Sequence, residues 1–245
     1  IAVDGCRSLE RGAEELSEAD RRILRRLARR SWLYFGQFVG PEDNWLPPDN
    51  VQVGGNPVTA HRTSPTNIGL LLQSTMSAHD LGYVGLVDLT LRLKQTMEVL
   101  GRLERYRGHI LNWYDTRTLQ PLNPRYVSSV DSGNLLGSLI ALSEGCYELI
   151  SERIVPERRW RGLVDTVDVL IETLTPALGE GSELLAHLSG MRQRVAAELG
   201  QPPAWPRLFE YLEAEGVGEM RRLLAAAMDE GRLSPAERQA ARAWS

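Results

Sequence analysis

The sequence predicts an all-α fold, a partial (α/α) toroid of alternating inner and outer helices, on the basis of three observations. Amphipathic helical segments alternate with segments that are apolar on almost every side, and such an apolar helix must be buried on more than one side. Long polar loops enter the all-apolar segments, whereas short turns leave them. Two concentric layers of helices give this order if the N-termini of the inner helices gather on one rim, which the long loops then build.

The first predicted helix is amphipathic and begins after Ser17, a residue type that caps helix N-termini. An irregular segment follows at about residues 40–63, because Pro47-Pro48 and Gly54-Gly55 exclude regular structure. Ser64 and Pro65 then supply an N-cap and a proline at the first helical position. These two residues predict the start of the first all-apolar helix.

A short turn leads into an amphipathic helix at about residues 86–103, and a second long loop occupies about residues 105–130. Asp131 is predicted to cap the second all-apolar helix. Pro156 opens a further amphipathic helix, whose Arg158, Arg159 and Arg161 should be largely solvated. More helices are predicted near residues 183–199, 205–215 and 218–230, then a turn capped by Ser234. Short hairpins are expected only in the long loops, for example residues 110–114 with residues 124–127.

Composition excludes several functional classes. A net charge of −4 gives no general affinity for nucleic acid or anionic membranes, and the arginine-rich run at residues 21–30 has the spacing of a solvated helix face. The cysteines Cys6 and Cys146 provide neither a disulfide framework nor a metal-binding pair, so no metal and no cofactor is expected. No apolar stretch is long enough to span a bilayer. Because the chain begins at Ile1 rather than Met and stops at Ser245 inside a predicted short helix, we expect a piece of a longer protein.

The first long loop carries the residue types that bind sugars. Trp45 offers a flat apolar platform, while Asp49 and Asn50 offer groups that bind hydroxyls. At the following helix start, Arg62 could hold a ligand or pair with a loop carboxylate such as Asp49 or Asp131, and His61 is more often a structural hydrogen-bonding group than a catalyst. The alternative is a loop stiffened by prolines, in which these side chains satisfy turn backbone.

The second loop repeats this combination of residues. Trp113, Tyr114 and Asp115 place two aromatic rings beside a carboxylate, and Asp131 follows at the helix start. The alternative is a hairpin in which Trp113 packs inward and Asp115 turns the chain. The candidate substrate-binding residues are Trp45, Asp49, Asn50, His61, Arg62, Asn67, Trp113, Tyr114, Asp115, Arg117, Asp131 and Asn134. A glycosidase needs two opposed carboxyl groups, but the sequence marks no loop carboxylate as tuned for catalysis, so no catalytic residue is predicted.

Five segments carry a resemblance to the central region of cyclic β-1,2-glucan synthases. They are residues 44–50 (NWLPPDN), 60–69 (AHRTSPTNIG), 103–109 (LERYRGH), 112–117 (NWYDTR) and 126–135 (YVSSVDSGNL). The resemblance covers about residues 24–147 and fades beyond about residue 154. It divides the chain into a loop-rich, cleft-forming part at residues 1–153 and a more variable helical part at residues 154–245, both within one domain.

The resemblance implies a specific place and role for the segment. Family members are large inner-membrane proteins whose central domain, a glycoamylase-like (α/α)6 toroid, cyclises linear β-1,2-glucan by anomer-retaining transglycosylation. This chain would contribute the N-terminal part of that toroid and part of its cleft, on the cytoplasmic side. Its partners would be β-1,2-glucan and the remaining domains, with no nucleic acid and no membrane contact. The catalytic glutamates are expected beyond Ser245, so the chain alone should be inactive.

Two other hypotheses remain at this point. The chain could be a non-catalytic helical scaffold or interaction module whose loops are well packed. It could also be a stand-alone hydrolase of a related glucan-degrading family, although a truncated toroid argues against this. Exposed Trp45 and Trp113 would favour a substrate cleft, and their full burial would favour a scaffold.

Overall fold

The computed structural model describes residues 16–52, 58–153, 155–235, 237, 238 and 241, and it confirms the predicted all-α class. Gly54-Gly55 and Cys6 lie outside these residues. The helices are α1 (Glu18–Phe38), α2 (Pro65–Asp80), α3 (Leu86–Arg102), α4 (Ser129–Leu149), α5 (Arg158–Leu178), α6 (Glu183–Ala197), α7 (Trp205–Tyr211) and α8 (Val217–Asp229). The short strands are β1 (Val51–Gln52), β2 (Val58–Thr59), β3 (Arg62–Thr63), β4 (Arg105–Tyr106), β5 (His109–Ile110) and β6 (Tyr114–Asp115).

Two of the three helix starts assigned from cap residues are confirmed. The Ser17 hydroxyl accepts a hydrogen bond from the backbone N–H of Asp20 at 3.1 Å, and the Ser64 hydroxyl accepts one from Asn67 at 3.2 Å. The Asp131 cap is wrong, because α4 begins earlier and its N-cap is Ser128. The Ser128 hydroxyl accepts from the Asp131 N–H at 3.2 Å, so Asp131 lies inside the first turn with its carboxylate available for other contacts.

The predicted hairpin between residues 110–114 and 124–127 is also wrong. β4 and β5 form their own tight hairpin, because Arg107 and Gly108 adopt positive φ angles of 50° and 87°. β6 instead pairs with β3 from the first long loop, with Arg62 opposite Asp115. Residues 110–114 and 124–127 do not form strands with each other, but a backbone hydrogen bond of 2.9 Å from the Asn112 N–H to the Tyr126 carbonyl joins them. The two long loops are therefore joined through β3 and β6.

Helices α2 and α4 lie side by side and run parallel. Thr66 in the first turn of α2 donates a hydrogen bond to Asp131 in the first turn of α4 at 2.6 Å. Further along, Gly145 of α4 approaches the Met76 side chain so closely that an added Cβ would lie 3.1 Å from it. Because contacts progress in the same direction along both helices, the prediction that the two N-termini share one rim is confirmed.

The close approach of α2 to α4 depends on Gly69. A Cβ at this position would lie 2.7 Å from the hydroxyl oxygen of Ser138 and 3.5 Å from the Asn134 carbonyl. Gln73 donates to the Ser138 carbonyl at 3.3 Å, one helical turn further along. Gly69 and the small side chain of Ser138 thus set the distance between the two helices.

The burial predicted for α4 is only partly found in the described part of the chain. Its buried residues are Leu135 and Leu142, whereas Val130 is 70% exposed and Ile140 is 58% exposed. α2, whose sequence is similarly apolar, has buried residues along its whole length. The difference arises because α2 packs against α1, α3 and α4, while the extensive packing of α4 is against α2 alone.

The remaining helices form a second core beside α1. α5 packs on α1 and α6, and α6 packs on α8. At the junction, Asp165 of α5 accepts from the Arg25 guanidinium at 2.8 Å and from the Tyr83 hydroxyl at 3.2 Å. Burial raises the pKa of Asp165 above its usual range, although Arg25 opposes this effect.

The arginines at the start of α5 are not all solvated as predicted. Arg161 is exposed and pairs with Glu157. Arg158 and Arg159 are half-buried, because Arg158 donates to the His79 carbonyl at 3.1 Å and Arg159 donates to the Gly82 carbonyl at 2.8 Å. These two arginines therefore fasten α5 to the turn between α2 and α3.

Candidate functional site

Polar side chains from both long loops converge where the N-termini of α2 and α4 meet. Each helix presents backbone N–H groups and the positive end of its dipole at this point. The side chains, here called the rim cluster, are Asp49, Arg62, Thr66, Asn67, Asn112, Trp113, Asp131 and Asn134. They are linked into one hydrogen-bonded and stacked network.

One arm of the rim cluster is organised by Asp49. Its Oδ2 accepts from Nη2 and Nε of Arg62 at 2.9 and 3.1 Å, and from the Asn50 amide at 3.0 Å. Its Oδ1 accepts from the Asn67 amide at 3.3 Å. The sequence left open whether Arg62 pairs with Asp49 or Asp131, and the structure shows that it pairs with Asp49.

The other arm is organised by Asp131. Its Oδ1 accepts from the Thr66 hydroxyl at 2.6 Å, and the same hydroxyl accepts from the Asn134 amide at 3.1 Å. In the orientation of the Asn112 amide that satisfies both of its polar atoms, Nδ2 donates to Oδ2 of Asp131 at 2.9 Å. Both carboxylate oxygens of Asp131 are therefore held in place.

Trp113 connects the two arms. Its indole N–H donates to the Asn112 side-chain oxygen at 2.8 Å, and the Arg62 guanidinium lies 4.9 Å from its ring centroid, within cation–π range. Trp113 and Trp45 are both half-buried, so the full burial expected of a scaffold is not found, and neither ring is freely exposed. Trp45 has a φ of 57°, and its carbonyl accepts from the Thr96 hydroxyl at 3.1 Å.

His61 belongs to a separate group beside the rim cluster. Its Nδ1 lies 2.8 Å from Oδ1 of Asp43, and its Nε2 lies 2.8 Å from the Arg117 guanidinium. An arginine can only donate, so Nε2 accepts from Arg117, and Nδ1 carries the hydrogen and donates a hydrogen bond to Asp43. Asp43 also accepts from the Thr116 hydroxyl. His61 thus joins the two loops through Arg117, while Asp43 of its own loop holds the other nitrogen.

Tyr114 and Asp115 have structural roles in the fold. Tyr114 is 0% exposed, and its hydroxyl donates to the Glu104 carbonyl at 2.6 Å while accepting from the Leu111 N–H at 2.7 Å. Oδ1 of Asp115 accepts from the backbone N–H groups of Arg117 and Thr118 at 2.9 and 2.8 Å. This is the turn that the alternative interpretation of Asp115 described, and the contacts named for both side chains lie within the second loop.

The electrostatics of the loop carboxylates differ from those of a general acid. Burial tends to raise the pKa of Asp131, but hydrogen bonds from Ser128 and Thr66 outweigh it and hold the pKa below its usual value. For Asp115, burial is likewise outweighed by hydrogen bonds from Thr118 and the Arg117 N–H, and the pKa is again lowered. A carboxyl that donates a proton near neutral pH requires the opposite shift.

Acidification should therefore lower the free energy of unfolding of the chain, and Asp131→Asn should reduce that loss. Because the folded-state pKa of Asp131 lies below the ordinary 3.8, its contribution to stability is complete above that value and is lost as the pH falls through the folded-state pKa. Urea unfolding between about pH 6 and pH 2 should show a flatter curve for the variant. Glu144→Gln, at an exposed position of α4, is the matched control. Parallel curves for Asp131→Asn and the unchanged chain would contradict this prediction.

Four residues that complete these groups were not among the predicted site residues. Thr66 and Asn112 hold the Asp131 carboxylate, and Asn112 also joins it to Trp113. Asp43 orients His61 and accepts from Thr116. Thr66 and Asn112 stand inside the sequence segments that carry the family resemblance, which was a usable signal. Their roles nevertheless depend on contacts between distant loops, which residue type alone does not indicate.

The described part of the chain contains neither a helix suited to span a membrane nor a group of side chains suited to hold a metal ion. Within those residues, no helix combines the length and apolar character that crossing a membrane requires. The same part of the chain contains no group of three or more histidine, cysteine, aspartate or glutamate side chains that could hold a metal ion.

Comparison with known proteins bears on the family resemblance. No family model matches the chain. The chain is 49% identical over 157 residues to the cyclic beta-(1,2)-glucan synthase NdvB of Rhizobium meliloti (strain 1021). The match covers 64% of this chain and about 5% of the length of that protein. The resemblance carried by the loop segments is thereby confirmed, and the chain is related to one segment of a cyclic β-(1,2)-glucan synthase.

Proposed function

We propose that this chain is part of the cyclising transglycosylase domain of a cyclic β-1,2-glucan synthase, and that its rim loops line part of the substrate cleft. In this proposal residues 1–153 form the cleft and residues 154–245 support it from outside. The parent protein would be a membrane protein with this segment on the cytoplasmic side, and the catalytic carboxylates would lie elsewhere in the parent.

The rim cluster is the observation that carries this proposal. A glucan presents hydroxyl edges and C–H faces, which are recognised by carboxylate and amide groups together with aromatic rings. Asp49, Asn67 and Asp131 provide such groups beside Trp113, and hydrogen bonds within the rim cluster hold them in fixed positions before a ligand arrives. Preorganised groups lose less conformational entropy on binding.

The open face of α4 supports the toroid part of the proposal. The residues of α2 that face α4 are Thr66, Gly69, Gln73 and Met76. Counted from the first residue of each helix, the same positions in α4 are occupied by Val130, Gly133, Gly137 and Ile140. An added Cβ on Gly133 or Gly137 would meet nothing within 4 Å. A further parallel helix could therefore pack on α4 as α4 packs on α2, which is how a ring of inner helices is built.

Glucan binding by the chain tests the proposed cleft. Trp113→Ala should weaken the binding of linear β-1,2-gluco-oligosaccharides about 10-fold, because it removes an aromatic platform and the link between the two arms of the rim cluster. Isothermal titration calorimetry measures the affinity, and thermal unfolding monitors the fold. Trp113→Phe, which keeps an aromatic ring, should retain most of the affinity.

The scaffold hypothesis makes a different prediction for the same variants. If the rim cluster serves only to join the loops, Trp113→Ala should lower the melting temperature sharply, and the folded chain should bind no glucan with or without the substitution. That result would overturn the proposed function. His61 and Asp115 each bind other loop residues. This is compatible with either hypothesis, since both require the loops to be rigid.

A further inference from the structure

We propose a second carbohydrate subsite, in a pocket beside the rim cluster, that takes a neighbouring sugar unit of the same glucan chain. The pocket, here called the tyrosine pocket, has a volume of about 280 Å³ and is lined by residues 104–106, Leu111 and residues 125–127. This inference rests on the proposed function of the rim cluster and extends the binding surface beyond it. The volume is just below the range of about 300–1,000 Å³ typical of small-ligand sites, so it suits a part of a chain.

The walls of the pocket provide aromatic surface that a sugar can reach. Tyr106 is 57% exposed and Tyr126 is 44% exposed, while the floor includes the buried Leu111. A tyrosine ring offers a flat apolar face and a hydroxyl at its edge, which matches the C–H face and the hydroxyl rim of a pyranose. Single exposed aromatic residues are common, but here two converge on one concave, apolar-floored surface.

The edge of the pocket provides polar groups of both kinds. Arg125 pairs with Glu104 through two bonds, Nη1 to Oε1 at 2.9 Å and Nη2 to Oε2 at 3.3 Å. Both side chains are about half exposed. A guanidinium has five N–H donors, of which this pair uses two, and each carboxylate oxygen can accept more than one hydrogen bond. The pair can therefore bind sugar hydroxyls without being broken.

The tyrosine pocket is directly connected to the rim cluster. The Tyr126 hydroxyl donates to the Asn112 side-chain oxygen at 2.7 Å, and the Asn112 N–H donates to the Tyr126 carbonyl at 2.9 Å. Asn112 also binds Asp131 and Trp113. A glucan bound at the rim cluster can thus continue into the pocket, which makes recognition dependent on the length of the glucan.

Tyr106→Ala in the 245-residue chain tests this subsite. Isothermal titration calorimetry with linear β-1,2-gluco-oligosaccharides of increasing length should show an affinity loss of about 3- to 10-fold for the longer ligands. The shortest ligands that bind at the rim cluster should be unaffected, because they do not reach the pocket. Tyr147→Ala is the matched control, since Tyr147 is 67% exposed on α4 and is not part of the pocket lining.

The outcomes separate this inference from the proposed function. If Trp113→Ala weakens binding but Tyr106→Ala has no effect at any ligand length, the subsite is overturned and the rim cleft stands. If the unchanged chain binds no β-1,2-glucan, both proposals fail. Arg125→Gln is a second variant at a half-exposed position and should show the same length-dependent loss, so the test remains decisive even if Tyr106→Ala misfolds.

Discussion

Gly82→Ala is expected to lower the free energy of unfolding by about 3–5 kcal/mol, the largest effect on stability among the substitutions considered. Gly82 has a φ of 87°, which disfavours a side chain. A Cβ there would also lie 1.9 Å from the Arg158 carbonyl oxygen. Because that atom belongs to the backbone of the α5 start, the clash cannot be relieved by a side-chain rotation.

Gly162 of α5 lies on the other side of the contact between α5 and the turn after α2. A Cβ on Gly162 would lie 2.4 Å from the Gly82 carbonyl oxygen and 3.0 Å from its Cα. The two glycines thus allow the turn after α2 to touch α5 backbone to backbone. Gly162→Ala should therefore also destabilise the chain, by about 3 kcal/mol, although alanine is the better helix former.

Gly190→Ala provides the matched control for both substitutions. Gly190 lies inside α6, and a Cβ there would meet nothing within 4 Å, so alanine should be neutral or stabilise the helix by up to about 1 kcal/mol. Thermal unfolding should show a fall of about 10 °C for Gly82→Ala and none for the control. Equal melting temperatures for all three variants would contradict this prediction, because they would mean that the turn after α2 can move away from α5 with little loss of stability.

The parts of the fold that were predicted correctly depend on local signals. Ser17 and Ser64 were recognised as helix caps because the capping bond joins residues only three apart. The prediction for Asp131 is wrong because serine and aspartate are both residue types that cap helices. Residue type alone does not show at which of the two the helical backbone begins. The shared rim of α2 and α4 was predicted from loop length instead. Long loops precede both helices and short turns follow them, which places both N-termini at the same end.

Apart from the Asp131 cap, the errors concern contacts between distant parts of the chain. The burial of α4 depends on what packs on it, which its apolar sequence does not specify. β6 pairs with β3 at a point where Arg117 of the second loop contacts His61 and Thr116 donates to Asp43 of the first loop. Similarly, Tyr114 was expected at a binding surface but is completely buried, because an aromatic ring with a hydroxyl suits a sugar platform and a hydrogen-bonded core equally well.

The 245-residue chain is expected to form neither cyclic nor shortened products from linear β-1,2-glucan, even where it binds the glucan. Anomer-retaining transglycosylation requires a nucleophile and an acid/base carboxyl about 5 Å apart. Asp49 is held by Arg62, Asp115 caps a turn and Asp131 is held by Thr66 and Asn112. Moreover, the lowered pKa values of Asp115 and Asp131 oppose proton donation near neutral pH.

The expected deficit in rate is large enough to be measured clearly. General acid–base catalysis alone contributes about 10²- to 10⁴-fold, and loss of the covalent step removes more. Purified chain is incubated with linear β-1,2-glucan, and products are analysed by mass spectrometry. A full-length cyclic β-1,2-glucan synthase, diluted about 10⁴-fold relative to the chain, sets the detection limit. If the chain forms products and Asp49→Asn or Asp131→Asn abolishes them, the catalytic carboxylates are in the rim cluster, and its hydrogen bonds must rearrange when glucan binds.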